Sequence, residues 1–287
     1  MNYSFIEDLE YAKEALSLSD VDFYNLIGIT KPTYYRWKKD NYVPNKIVLD
    51  KIYGILFNNG IDFNRIKEDV YSSLQNSETK ILFHGSKSGF VGDISTKFGN
   101  DNRDFGRGFY VGESVKQSIS FVCTYPESVL YCLKLNNFNS INKVEFDVSI
   151  EWMILTAYYR NKINDYINSN YVKKVLNKIN AVDLIIAPIA DNTMYSIINE
   201  FIEGSITDEQ CLNCLSANRL GKQYVFLNDN VINNNLEVMA KLFISSNEKN
   251  DYYQTKMRDS DIGKKKVIMA KRKYVGVGKY IEELLND

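Results

Sequence analysis

The sequence predicts an α+β protein in which a small all-helical module precedes a larger region of strands and helices. Three features carry that expectation. Up to about residue 71 the apolar residues recur at helical spacing. From Lys80 onward the pattern changes to short apolar or alternating runs of strand length. The helical segments between those runs do not alternate with them strictly, which favours α+β over a doubly wound parallel sheet. With 45% hydrophobic and 25% charged residues in 287, wholesale disorder, collagen and coiled coil are excluded. A net charge of −1 and a pI of about 6.0 leave any nucleic-acid role to local patches. No apolar run approaches the ~20 residues of a membrane span. The start, MNYSFIEDLEYAKEAL, is acidic and helical rather than a basic leader, so a cytoplasmic chain without membrane contact is expected.

The first element is a helix over residues 7–18, with Leu9, Ala12, Ala15 and Leu16 on one face. Ser19 or Asp20 caps a second short helix through Leu26, and Gly28 breaks it. Thr30-Lys31-Pro32 then reads as a cap with proline early in a helix that carries Thr33, Tyr34, Tyr35, Arg36, Trp37 and Lys38. A further apolar helix follows Pro44. Short helix, glycine turn and polar-aromatic helix is the layout of a helix-turn-helix. The stretch LIGITKPTYYRWKK resembles the turn and recognition helix of phage-repressor-type domains. Between Lys31 and Lys51, six Lys/Arg stand against two Asp. The candidate DNA contacts are Lys31, Thr33, Tyr34, Tyr35, Arg36 and Lys38. The alternative is a helical cap or dimerisation module whose Tyr34, Tyr35 and Trp37 belong partly to the core. Both readings stay open in the sequence. The small, polar stretch 72–77 marks the boundary, giving a helical domain over residues 1–75.

The second domain, residues 76–243, opens with the strand Ile81-Leu82-Phe83, which delivers His84-Gly85-Ser86. A looser glycine-containing loop leads to Arg103-Asp104-Phe105-Gly106-Arg107-Gly108-Phe109-Tyr110-Val111-Gly112, a second strand. SVLYCLKL (128–135) alternates as a strand, AVDLIIAPI (181–189) is a continuous apolar one, and Gln223 to Leu227 is another. Helices are expected at Ile150 to Arg160 and Tyr195 to Phe201. Residues 244–287 form a basic C-terminal extension, with eight Lys/Arg against two Asp between Arg258 and Lys279. Such a block steers toward phosphates or is a solvated basic face.

Residue counts restrict the chemistry. The chain has one histidine, His84, so any histidine base must be that residue and two-histidine metal motifs are excluded. Four cysteines, Cys123, Cys132, Cys211 and Cys214, read as small buried apolar residues. The lone Cys211-x-x-Cys214 pair lacks a second pair, and no metal is expected. No phosphate-binding GxxxxGK[ST] occurs, and the Gly-x-Gly before Phe109 lacks the third glycine of the dinucleotide fingerprint. A histidine at a strand end followed by glycine, and a second strand with two adjacent aromatic rings, suit a pocket for a flat heteroaromatic ligand.

Four ordered blocks carry a resemblance. They are ILFHGS (81–86), RDFGRGFY (103–110), VDLIIAPIADN (182–192) and KQYVF (222–226). Together they resemble the bacterial domain-of-unknown-function 3990 family over about residues 80–240. That family is similar to ADP-ribosyltransferases of the diphtheria-toxin and poly(ADP-ribose)-polymerase lineage, with His, Tyr and Glu on three strands. The resemblance implies a split β-sheet core with helices and NAD as co-substrate. It implies that His84 bonds a ribose hydroxyl, that the Gly85 backbone pairs with the nicotinamide carboxamide, and that Ser86 belongs to the same NAD-binding block. Tyr110 would stack on the nicotinamide, with Phe109 or Phe121 on the other face, and Arg103 fits the pyrophosphate. Gln223 falls where the catalytic glutamate is expected.

That departure has a chemical meaning. Breaking the ribose–nicotinamide bond develops oxocarbenium-like charge, which a carboxylate stabilises. A glutamine keeps the hydrogen bond and loses the charge, at a cost of roughly 2–4 kcal/mol or ~10²–10³ in rate. Asp183, Asp191 and Asp104 are the acidic residues in matched blocks that could compensate. The expected function is therefore mono-ADP-ribosylation of a protein or nucleic acid by a bacterial toxin or phage-defence effector, with an antitoxin protein as a candidate partner. The alternative is an NAD- or ADP-ribose-sensing DNA-binding regulator with a degenerate transferase fold.

Overall fold

The computed structural model describes residues 3–99, 101–216 and 221–285. It begins with five helices: α1 (Phe5–Ala15), α2 (Asp20–Leu26), α3 (Lys31–Asp40), α4 (Lys46–Asn58) and α5 (Phe63–Ser72). Their starts follow local chemistry. Ser19, Thr30, Asn45 and Asp62 accept hydrogen bonds from the backbone N–H groups of Asp22, Thr33, Val48 and Arg65, and Pro32 sits in the first turn of α3. The helix expected to run to residue 18 stops at Ala15, because Ser17 adopts a positive φ of 53° and the chain turns there.

The region from Lys80 is mixed. It contains β1 (Lys80–Ser86), β2 (Phe109–Gly112), α6 (Val115–Val122), β3 (Val129–Leu135), β4 (Lys143–Glu145), α7 (Ile150–Tyr159) and α8 (Asn170–Asn177). There follow β5 (Leu184–Pro188), α9 (Asn192–Ile202), α10 (Asp208–Ser216), β6 (Lys222–Phe226), α11 (Asp229–Asn235), β7 (Leu236–Leu242), α12 (Ser246–Lys273) and α13 (Ile281–Leu285). The protein is thus α+β with an all-helical N-terminal region. The apolar run 181–189 yields a shorter strand than expected, since Ala181 has a positive φ of 59°. The basic C-terminal extension is chiefly one 28-residue helix, α12.

The chain forms two compact units, one from Met1–Val91, Ser114–Asn136 and Glu237–Thr255, the other from Gly92–Glu113, Asn137–Leu236 and Lys256–Asp287. This division differs from the three consecutive segments expected from sequence. In the first unit β1 pairs antiparallel with β3, His84 opposite Tyr131, and β7 neighbours β3. One core of this unit gathers Phe5, Leu9, Phe23, Tyr34, Trp37, Ile52 and Phe243. A second gathers Ile81, Phe83, Ile119, Leu130, Cys132 and Leu242. Burying each such large side chain contributes roughly 1.5–3 kcal/mol.

In the second unit the strand order is β4-β5-β6-β2, with β4 and β5 parallel and the other two pairs antiparallel. Its core is built on Trp152, Leu155, Ile185, Val225, Ile198 and Phe201. Cys211 and Cys214 lie inside that core as free thiols, and burial pushes Cys214 up to about 11. No helix among the described residues is long and apolar enough to cross a membrane.

Candidate active site

In the second unit four sequence-predicted residues come close together. Gln223 lies on β6 opposite Ala187 of β5 and Gly112 of β2, and Tyr110 lies opposite Val225. The two-residue side-chain period of a strand puts Tyr110, Gln223 and Val225 on one face. Gln223 is 8% exposed, and its Nε2 donates to Asp104 Oδ2 and to the Pro188 carbonyl, both at 3.0 Å. Asp104, 6% exposed, receives three further hydrogen bonds. Arg160 donates to Oδ1 from Nη2 at 2.5 Å and from Nε at 3.2 Å, and the Ala190 N–H donates to Oδ2 at 3.3 Å. The Arg160 guanidinium also lies 4.2 Å from the centroid of the Tyr195 ring.

Tyr110 is fixed by the turn that precedes its strand. Its hydroxyl donates to the Gly106 carbonyl at 2.7 Å and accepts from the Phe105 N–H at 3.1 Å. Burial raises its pKa well above the ordinary phenol value. The Arg103 guanidinium sits 4.9 Å from the centroid of the Tyr110 ring, a cation–π contact. The turn tolerates only glycine at 106, where φ is +68° and an added Cβ would come within 2.8 Å of Tyr159.

The resulting group holds a buried carboxylate, an amide in direct contact with it, a guanidinium countercharge and an aromatic ring capped by a second guanidinium. The amide orientation follows from its acceptors. A carboxylate at position 223 would instead set like charge against Asp104 and against a carbonyl. Glutamine is therefore the residue this arrangement accommodates. The expected compensating carboxylates separate clearly. Asp104 touches Gln223, whereas Asp191 accepts from Met194 N–H as the cap of α9, and Asp183 accepts from Asn228 Nδ2 while its backbone braces Asn142 and Leu227.

In the first unit His84 lies at the end of β1 and is half-buried. Its ring centroid is 5.2 Å from that of Phe90, which stacks on Tyr131 at 4.2 Å. The Tyr131 hydroxyl accepts from the Phe90 N–H at 3.0 Å, and Ser86 Oγ accepts from the Gly89 N–H at 3.0 Å. Gly85 has a packing explanation. A Cβ there would stand 2.4 Å from the Ser118 carbonyl oxygen of α6, so the close approach inferred from sequence is made by that helix.

Several candidates require correction. Phe109 is 1% exposed and is a core side chain, unavailable as a stacking face. Phe121 is 55% exposed on α6. On α3, Tyr34 is completely buried and cannot present itself to DNA as expected. Tyr35 donates its hydroxyl to Asp20 at 2.7 Å, Lys38 pairs with Glu10 at 2.6 Å, and Thr33 shares a hydrogen bond with Thr30 at 2.9 Å. Lys31 and Arg36 are exposed. Sequence reasoning missed Arg160, Tyr195 and Phe90, which carry no local signal and are identified by their contacts alone.

A family model described as protein of unknown function (DUF3990) matches residues 80–237, more than half of the chain and including His84, Asp104, Tyr110 and Gln223. No curated protein and no solved structure matches. The chain belongs to the DUF3990 family.

Proposed function

We propose that this protein is a mono-ADP-ribosyltransferase that takes NAD as co-substrate, releases nicotinamide and modifies a protein or nucleic acid, as a bacterial toxin or phage-defence effector controlled by an antitoxin. The observation that carries the reading is the hydrogen bond from Gln223 to the buried Asp104 carboxylate. It sets negative charge one hydrogen bond behind the residue that replaces the expected glutamate. With Nε2 committed to Asp104 and Pro188, the Gln223 amide is oriented, and its carbonyl oxygen is the atom assigned to a ribose hydroxyl. Asp104 contributes its field through that amide, and Arg160 offsets part of it. Tyr110 supplies the ring face for nicotinamide, and Arg103 the fork for the pyrophosphate. For His84 the proposal rests on the family resemblance alone, which implies a ribose contact. The bond from ribose to nicotinamide breaks with its electron pair leaving on the ring nitrogen. The acceptor nucleophile then attacks the anomeric carbon and gives up its proton to solvent.

The test is full-length protein with NAD labelled on the adenylate, alone and with cell lysate, following free nicotinamide and covalent label. Label on a macromolecule that disappears in His84→Ala and Tyr110→Ala supports the proposal, and unchanged turnover in both variants removes it. The second reading, an NAD-sensing DNA-binding regulator, draws on the exposed Lys31 and Arg36 of α3 and on the Arg160 countercharge. It predicts that NAD binds intact and changes affinity for duplex DNA.

A further inference from the structure

The basic block near the C-terminus has a geometry that the sequence does not reveal. Within α12, Gly263 and Val267 are buried, and Val267 and Ala270 join the core of the second unit. At about 100° per residue, Arg258, Lys265 and Arg272 then fall about 140–180° away from Val267, on the outer side of the helix. All three are exposed, as are Lys264, Lys266 and Lys273, so six exposed cations stand against Asp259 and Asp261 between 258 and 273. At 1.5 Å per residue the outer row spans about 21 Å. Lys271 is set apart from it, half-buried and paired with Glu200 at 2.5 Å.

The geometry points to the outer face of α12, from Arg258 to Lys273, as a binding surface for the phosphate backbone of nucleic acid. Charge complementarity favours this occupant over two others. Lysine is depleted in protein–protein interfaces, and here it dominates the face. An interfacial membrane helix needs a continuous apolar face opposite its charges. The buried stripe of α12 is turned into the core, and its exposed apolar side chains stand beside or among the cations rather than on a face opposite them. Ile262 and Met269 lie about 20° apart next to the outer row, and Met257 and Ile268 lie on the flank. A phosphate backbone needs neither an apolar face nor a shaped pocket, only a row of cations at accessible spacing. The assignment does not depend on the chemistry proposed above.

The test uses full-length protein and fluorescence anisotropy with a 30-nucleotide single-stranded RNA, a 25-base-pair DNA duplex, and vesicles with and without 30% phosphatidylserine. Binding to at least one nucleic acid is expected, with affinity falling as salt rises. Lys264→Gln/Lys265→Gln/Lys266→Gln is expected to weaken it about tenfold or more and to flatten the salt slope by about 3. Arg258→Gln/Lys265→Gln/Arg272→Gln should behave alike. A control on α8, Lys173→Gln/Lys174→Gln, should change affinity less than about twofold. An equal loss in that control, undiminished binding in both α12 variants, or binding confined to phosphatidylserine vesicles would each overturn the assignment.

Discussion

Each unit buries a carboxyl group against a side-chain amide, and the two sites differ in what else they hold. In the first unit Glu248, 5% exposed, receives Asn64 Nδ2 on its two oxygens at 2.8 and 2.9 Å. Its neighbour Lys249 turns instead to the carbonyls of Tyr125 and Pro126, at 3.1 and 2.8 Å. Burial pushes Glu248 up to about 8, reinforced by the like charge of Asp62. In the second unit Asp104 has its amide, Gln223, and also the Arg160 guanidinium and a backbone N–H. The Asn64 amide and the Ser245 backbone N–H supply only dipoles to Glu248 and leave the burial of a charge poorly compensated, which suits a structural tie between α5 and α12. An amide with a guanidinium supplies a full countercharge, which suits a carboxylate whose charge is to be used.

The strongest way to break this contrast is Arg160→Ala, which strips the countercharge from a buried carboxylate. A loss of about 3–5 kcal/mol is expected in urea unfolding. A loss under about 1 kcal/mol would mean that Asp104 is no more dependent on a cation than Glu248 is. Gln223→Glu comes next. If glutamine were only a decayed glutamate, this change would speed nicotinamide release. The 3.0 Å contact with Asp104 predicts the reverse, a loss of about 2–3 kcal/mol in stability and slower turnover. Faster release would show that Asp104 does not supply the missing charge.

Glu248 offers a pH test of the other half of the comparison. Its folded pKa, about 8, lies above its ordinary value of 4.5, so the folded state favours the protonated form. That stabilisation is complete below about pH 4.5 and is lost as pH rises through about 8, with a slope of at most about 1.4 kcal/mol per unit. Glu248→Gln should remove the slope in unfolding measurements from pH 5 to 9. An unchanged slope would assign the titration to a neighbour, Asp62 or Lys249.

How far these features are legible in the sequence depends on whether their cause is local. Thr30 and Pro32 announce the start of α3 because a cap and a proline act within one turn. β4 escapes because it has only three residues, none of them buried, and α12 because few apolar residues anchor it. β7, in contrast, is legible, with Leu236, Val238, Ala240 and Leu242 alternating with Glu237, Met239 and Lys241, and is simply absent from the expectation. The candidate site divides in the same way. His84, Tyr110 and Gln223 stand out as a lone histidine and as motif positions. Which of Asp104, Asp183 and Asp191 accompanies Gln223 is decided by a contact across 119 residues, and Arg160 reaches Asp104 across 56. Gly85 shows the converse, a true close approach whose partner is a helix of the protein itself.

Tyr34 extends the series to a buried hydroxyl bonded to neither amide nor cation, the Lys38 ammonium standing over its ring at 5.4 Å instead. It is completely buried, and its hydroxyl has no hydrogen-bond partner among the described residues. Its neighbour Tyr35 spends its hydroxyl on Asp20. Removing an unsatisfied buried hydroxyl returns its desolvation cost while keeping the ring's packing against Phe23 and Tyr24. Tyr34→Phe is therefore expected to raise stability by up to about 1 kcal/mol, with no change in duplex-DNA affinity. A stability loss would give the hydroxyl a partner in solution, and a loss of DNA binding would return Tyr34 to the recognition surface that the sequence suggested.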